Sequence, residues 1–181
     1  MDMYKLKFTI LQQGILRFLF IKSGMSFTER ALAKQLKVSP TAVSNSLPLL
    51  EKEGLAKVTK DRETGRLSIS LNKENPKTFF FKRVENLRTI YESGLLEYLS
   101  EKFPGSTIIL FGSYSFGEDT ADSDIDIAVI GVKRKDVDTE KFEKLLERRV
   151  SLNFYDNLNE INRNLRENIL NGIVLNGGIK L

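Results

Sequence analysis

Two short apolar runs, each bounded by residues that a strand interior would reject, limit what residues 107–130 can become. Thr107-Ile-Ile-Leu-Phe111 is apolar and β-branched, which reads as a buried strand, and it stops at Gly112-Ser113. After ten intervening residues, Asp124-Ile-Asp126 opens a second run that ends at Ile130. Gly112 permits close backbone approach, and Ser113 places a hydroxyl at the positive end of the short turn that follows. Side chains alternate along a strand, so Asp124 and Asp126 share a face. Two carboxylates on one face repel each other unless a cation lies between them. The chain has no His and no Cys, so the donors are oxygens, which suit magnesium or manganese rather than zinc.

Gly-Ser, ten residues and Asp-x-Asp together resemble the signature of the polymerase-beta-type nucleotidyltransferase superfamily. The resemblance covers roughly residues 83–181 and is closest to the minimal nucleotidyltransferases. It implies that Gly112 and Ser113 grip the phosphates of ATP or another NTP. It also implies that Asp124 and Asp126 are metal ligands and catalytic residues for Mg2+ or Mn2+.

The same resemblance implies a third acidic residue on the next long strand, facing the Asp pair. That strand is Val150-Ser-Leu-Asn-Phe-Tyr155. Val150, Leu152 and Phe154 form its apolar face, which leaves Ser151 and Asn153 as the positions for the missing carboxylate. Asn153 can offer a carbonyl oxygen as a weak third ligand. Glu118, Asp119 and Asp122 could substitute only if their loop folds back. The expectation is a nucleotide-binding domain with slow or absent transfer.

Residues 1–76 follow a different pattern. Phe8 to Ile21 is apolar-periodic and reads as a first helix, and Glu29 to Leu36 as a short amphipathic second one. Ser39-Pro40 is an N-cap followed by a proline at the first helical position, so a third helix runs from Thr41 to about Glu53 and ends at Gly54. Leu55–Lys60 and Arg66–Leu71 flank Asp-Arg-Glu-Thr-Gly as a hairpin. This order resembles a winged helix-turn-helix DNA-binding domain. The resemblance makes Thr41, Ser44, Asn45 and Ser46 candidates for the DNA groove, and Lys60, Arg62 and Arg66 candidates for phosphate contact from the wing.

The expected architecture is therefore α+β in two domains. A winged helix spans 1–76, and a nucleotidyltransferase-like mixed sheet with helices spans 77–181. The polar segment Asn72-Lys-Glu-Asn-Pro76 divides them. Lys77 to Phe103 reads as a long helix with a break at Gly94, and its three-Phe run, Phe79 to Phe81, as core. Charge separates the halves: 13 Lys and Arg face 7 Asp and Glu in residues 1–76, against 15 and 17 in residues 77–181. A basic first domain suits phosphate binding. The basic pair Arg148-Arg149 reads as a solvated helix end. No Cys and no run long enough for a membrane span leave a cytoplasmic location as the expectation.

Two functions follow from the resemblances. One is transfer of a nucleotide, AMP above all, to a partner's hydroxyl, with a small helical HEPN-like protein as partner in an antitoxin-like pair. The other is a DNA-binding transcriptional regulator, acting as a homodimer, whose second domain senses a nucleotide or serves only as scaffold.

Overall fold

The computed structural model describes residues 7–61 and 65–179. The chain forms two units, residues 1–79 and 80–181, so the division falls three residues beyond the expected boundary.

The first unit begins with α1 (Ile10–Ile21), whose N-terminus is closed by a capping box. Thr9 accepts the Gln12 amide at 3.2 Å, and the Gln12 side chain accepts the Thr9 amide at 2.9 Å. Two orphan donors are thus satisfied, an arrangement worth about 1 kcal/mol. Strand β1 (Ser26–Phe27) leads into α2 (Glu29–Leu36) and then α3 (Pro40–Lys52). Ser39 caps α3 through the Ala42 amide at 3.1 Å, and Pro48 is accommodated within the helix. Strands β2 (Ala56–Lys60) and β3 (Leu67–Leu71) pair antiparallel, and β1 adds to the free side of β3. Helix, strand, two helices and a hairpin in this order make a winged helix. Its core is built from Ile15, Leu19, Leu32, Val43, Leu50 and Ile69, each without exposed surface. Two residues of β1 carry too little pattern to be seen in sequence.

Beyond α3, Glu53 receives the ammonium groups of Lys7 at 2.5 Å and Lys77 at 2.6 Å. The hydrogen bond from Lys7, then that from Lys77, hold its carboxyl down to about 2.

Helix α4 (Pro76–Ser93) runs from the first unit into the second. Gly94 then adopts a left-handed conformation, φ 75°, and α5 (Leu95–Lys102) follows, so the expected break is where Gly94 stands. The Phe run is not core: Phe80 is 68 % exposed, as is Val84 at 69 %, while Phe79 and Phe81 are half-buried. The buried line on α4 is instead Thr78, Lys82, Asn86 and Ile90, three of them polar. Helical periodicity found the helix but misassigned its inner face.

The second unit is a four-stranded sheet in the order β6-β5-β4-β7. Strand β4 (Thr107–Phe111) pairs antiparallel with β5 (Ile125–Ile130), β5 pairs parallel with β6 (Val150–Tyr155), and β7 (Ile173–Asn176) pairs antiparallel with β4. Helix α6 (Gly112–Phe116) joins β4 towards β5, and α7 (Glu140–Leu146) precedes β6. A 3-10 turn, Leu158–Glu160, precedes α8 (Arg163–Leu170), which is capped by Asn162. Alternation sorts the strands between two cores. Ile108, Leu110, Ile125, Ile127 and Val129 pack with Leu95, Leu99, Phe142 and Leu146 on one face. Ile109, Phe111 and Ala128 pack with Ile161 and Ile169 on the other. A fully buried Leu or Ile contributes roughly 1.5–3 kcal/mol, so these two layers hold the sheet. Asp126 has the parity of Ala128 and therefore lies on the face carrying α8.

Candidate functional site

Register brings the two halves of the motif together. Phe111 is the cross-strand partner of Asp126, so Gly112, the next residue, stands beside the Asp126 carboxylate. A Cβ built on Gly112 would lie 2.6 Å from Asp126 Oδ2 and 3.4 Å from Cγ. Its φ is 70°, in the left-handed region, so the position excludes a side chain on two grounds. The turn is closed by Ser115 Oγ, which donates to the Gly112 carbonyl at 2.8 Å, and by the Glu118 amide on the Ser113 carbonyl at 3.0 Å. Gly117 caps α6 at φ 77°. Ser113 is half-buried at the start of α6, where the first amides have no partner within the helix.

On the other side of β5, Asp126 pairs in register with Ser151, and Ala128 with Asn153. The position beside the carboxylate is therefore Ser151, whose hydroxyl donates to Asp126. Asn153 sits one pair further along and reaches back to Ser151 Oγ at 3.4 Å, near the limit for a hydrogen bond. Burial raises the Asp126 carboxyl above the ordinary aspartate range. The nearby charge of Asp124 raises it further, and the Ser151 hydroxyl partly offsets both.

Asp119 is not available as a replacement carboxylate. Its side chain has no exposed surface; Oδ1 accepts from Lys82 Nζ and from Asn86 Nδ2 at 2.7 Å, and Oδ2 is ion-paired with Arg148 Nη2 at 3.6 Å, beyond hydrogen-bond distance. Arg148 is correspondingly buried rather than solvated at a helix end. Lys82 lies on α4, Asp119 on the loop between α6 and β5, and Arg148 between α7 and β6. An acidic residue in that loop and two cations remote in sequence carry no periodic signal. Among the described residues no three His, Cys, Asp or Glu side chains are arranged to hold a metal. Asp124 lies near enough to Asp126 for its charge to act on that carboxyl, and oxygen donors of this kind are the type that could hold a hard cation.

In the first unit, Thr41, Ser44 and Asn45 are exposed on α3, and Lys60 and Arg66 are exposed on the wing strands and their turn. Ser46 is a correction. It is buried, its hydroxyl donates to the Ala42 carbonyl at 2.8 Å, and its carbonyl accepts from Gln12 Nε2. It fastens α3 to α1 and has no face towards a groove. Arg62 lies outside the described residues.

Fold and site together define a class, a winged helix followed by a nucleotidyltransferase-type sheet. Residues 92–175 match the family described as the nucleotidyltransferase domain. No curated protein matches the chain. Among solved structures, reduced HlyU from Vibrio cholerae matches at 22% identity over 36% of this chain and 63% of HlyU, with a TM-score of 0.30. MepR, a transcription regulator of the Staphylococcus aureus multidrug efflux pump MepA, matches at 27% identity over 53% of this chain and 69% of MepR, with a TM-score of 0.40. A ZitR mutant from Lactococcus lactis matches at 26% identity over 57% of this chain and 67% of its own, with a TM-score of 0.38. The chain thus spans less than two thirds of HlyU. These overlaps are partial, and the winged-helix assignment rests on the element order and strand pairing of the first unit. Among the described residues no helix is long and apolar enough to cross a membrane.

Proposed function

We propose that this chain is a DNA-binding regulator whose nucleotidyltransferase domain binds a nucleoside triphosphate with a single divalent cation and transfers its nucleoside monophosphate to a hydroxyl, with release of pyrophosphate, slowly or not at all. The observation that carries this reading is the pairing of Asp126 with Ser151. Asp124, Asp126 and the phosphates can complete the shell of one cation. A second ion would need another carboxylate beside Asp126, and a serine hydroxyl supplies neither charge nor a strong ligand. When bound, magnesium would neutralise triphosphate charge. The protein's own part is the close approach at Gly112, the hydroxyl of Ser113 and the two carboxylates. Ser151, the residue paired with Asp126, cannot take a proton from an attacking hydroxyl as a carboxylate there would.

DNA binding is supported by the basic balance of residues 1–76 and by the exposed polar row Thr41, Ser44 and Asn45 on α3, with Lys60 and Arg66 nearby in the hairpin. Of the neighbours, Staphylococcus aureus MepR has been solved as a DNA complex. A homodimer reading paired half-sites fits this function. The alternative is transfer of AMP to a HEPN-like partner.

Calorimetry with ATP, with and without magnesium, on the full chain and on Asp124→Ala/Asp126→Ala tests the nucleotide half. Magnesium-dependent binding that the double variant loses is expected. Absence of binding by the unaltered chain removes the nucleotide reading. Rapid AMP incorporation into a partner, lost in Asp124→Ala, would overturn the slow-transfer reading.

A further inference from the structure

The buried polar line of α4 is bonded to the phosphate turn and to the loop after it. Asn86 Nδ2 donates to the Tyr114 carbonyl within α6 at 2.9 Å and to Asp119 Oδ1 at 2.7 Å. Lys82, one turn earlier on the same face, donates to the same Asp119 oxygen, and its ammonium lies 5.9 Å from the centre of the Tyr114 ring. Arg148 approaches the other Asp119 oxygen. A helix that only needed to pack on this sheet would present apolar groups there, as it does one turn later with Ile90. Buried ions and amides are costly unless each is bonded, so a polar cluster is a poor device for adhesion alone. What it adds is direction, because a bifurcated amide fixes two segments relative to each other in a way that contact between hydrocarbons does not.

The two segments held are the ones that matter for the nucleotide. Tyr114 follows Ser113 directly, and Asp119 lies midway between Ser113 and Asp124. We propose that Asn86 and Asp119, with Lys82, are positioning residues that hold the Gly112–Ser113 turn and its loop against α4, and so set the distance from the turn to the Asp pair. This rests on the nucleotide reading above for its purpose, but not for its geometry.

The test uses Asn86→Leu in the full chain, which removes both donated bonds while leaving Asp119 its two cations. Ile90→Val, one turn along the same buried face, loosens packing without touching the turn. Hydrogen exchange is followed at the Gly117 and Glu118 amides, which close the turn on the Tyr114 and Ser113 carbonyls. Magnesium-ATP affinity is measured well below the unfolding temperature. Asn86→Leu is expected to speed exchange at both amides and to weaken ATP roughly five- to tenfold, the scale of one lost hydrogen bond. Ile90→Val should lower thermal stability and change neither readout. Unchanged exchange in Asn86→Leu, or an equal change in Ile90→Val, overturns the positioning role. Faster exchange with unaltered ATP affinity overturns its link to the nucleotide. If the unaltered chain binds no ATP, the nucleotide reading fails by itself and exchange alone decides whether α4 holds the turn. Asn86→Ala removes the same donors and replaces the leucine variant if that does not fold.

Discussion

Gly112→Ala probes the contact on which the site depends, and Gly94→Ala supplies its reference. Both glycines are left-handed, at φ 70° and 75°. A Cβ at Gly94 meets nothing within 4 Å, so that variant carries the backbone cost alone, about 1–2 kcal/mol. At Gly112 the new methyl would stand 2.6 Å from Asp126 Oδ2, well inside contact distance. The carboxylate must rotate away and give up the Ser151 hydroxyl. A hydrogen bond to a charged group is worth about 1.5–3 kcal/mol, and partial exposure of Asp126 places the loss near the lower end. Gly112→Ala should therefore cost about 2–4 kcal/mol, some 1–2 kcal/mol beyond Gly94→Ala. Urea unfolding followed by tyrosine fluorescence reads this. The chain has no Trp, and four of its five Tyr residues lie beyond residue 80, so the signal comes from the second unit. Magnesium-ATP binding should fall in Gly112→Ala and persist in Gly94→Ala. Equal destabilisation in the two variants, or full ATP affinity in Gly112→Ala, would refute the close-approach argument.

Three further outcomes are expected. Because folding raises the Asp126 pKa, its contribution is fully present below the unfolded value of about 4 and is lost as pH rises through the folded one. Asp126→Asn should accordingly melt higher than the parent at pH 7 in EDTA, with the gap closing below pH ~4; a pH-independent gap would contradict this. Asp119→Ala leaves Lys82 and Arg148 buried without their shared carboxylate, which should cost on the order of 3–5 kcal/mol in urea unfolding. A loss under about 1 kcal/mol would show that the cluster is not structurally coupled. Ser151→Asp puts a third carboxylate beside Asp126, destabilising the metal-free chain by like-charge repulsion and adding a second Mn2+ site detectable by paramagnetic resonance. Unchanged manganese stoichiometry would contradict the register argument.

Local periodicity carries much of this molecule. The alternation along Ile125–Ile130 set Asp126 apart from Ile125 and Ile127, and that along Val150–Tyr155 put Ser151 and Asn153 together opposite the apolar face, because side-chain direction within a strand depends only on parity. Gly94 and Ser39-Pro40 marked helix ends because their conformational preferences are properties of single residues. What needed the tertiary structure was everything set by a second chain segment. Parity could not choose between Ser151 and Asn153; the β5–β6 register did. Ser46 looked like its exposed neighbours until α1 covered it with Gln12. Asp119 and Arg148 read as loop and surface charge because their partners lie 37 and 29 residues away, and a charge can be buried only when folding delivers its counter-charge. The residue types and spacing at Gly112, Ser113, Asp124 and Asp126 were thus determined along the chain. Their distance from one another, and the neighbour that limits their chemistry, were decided by strand pairing across it.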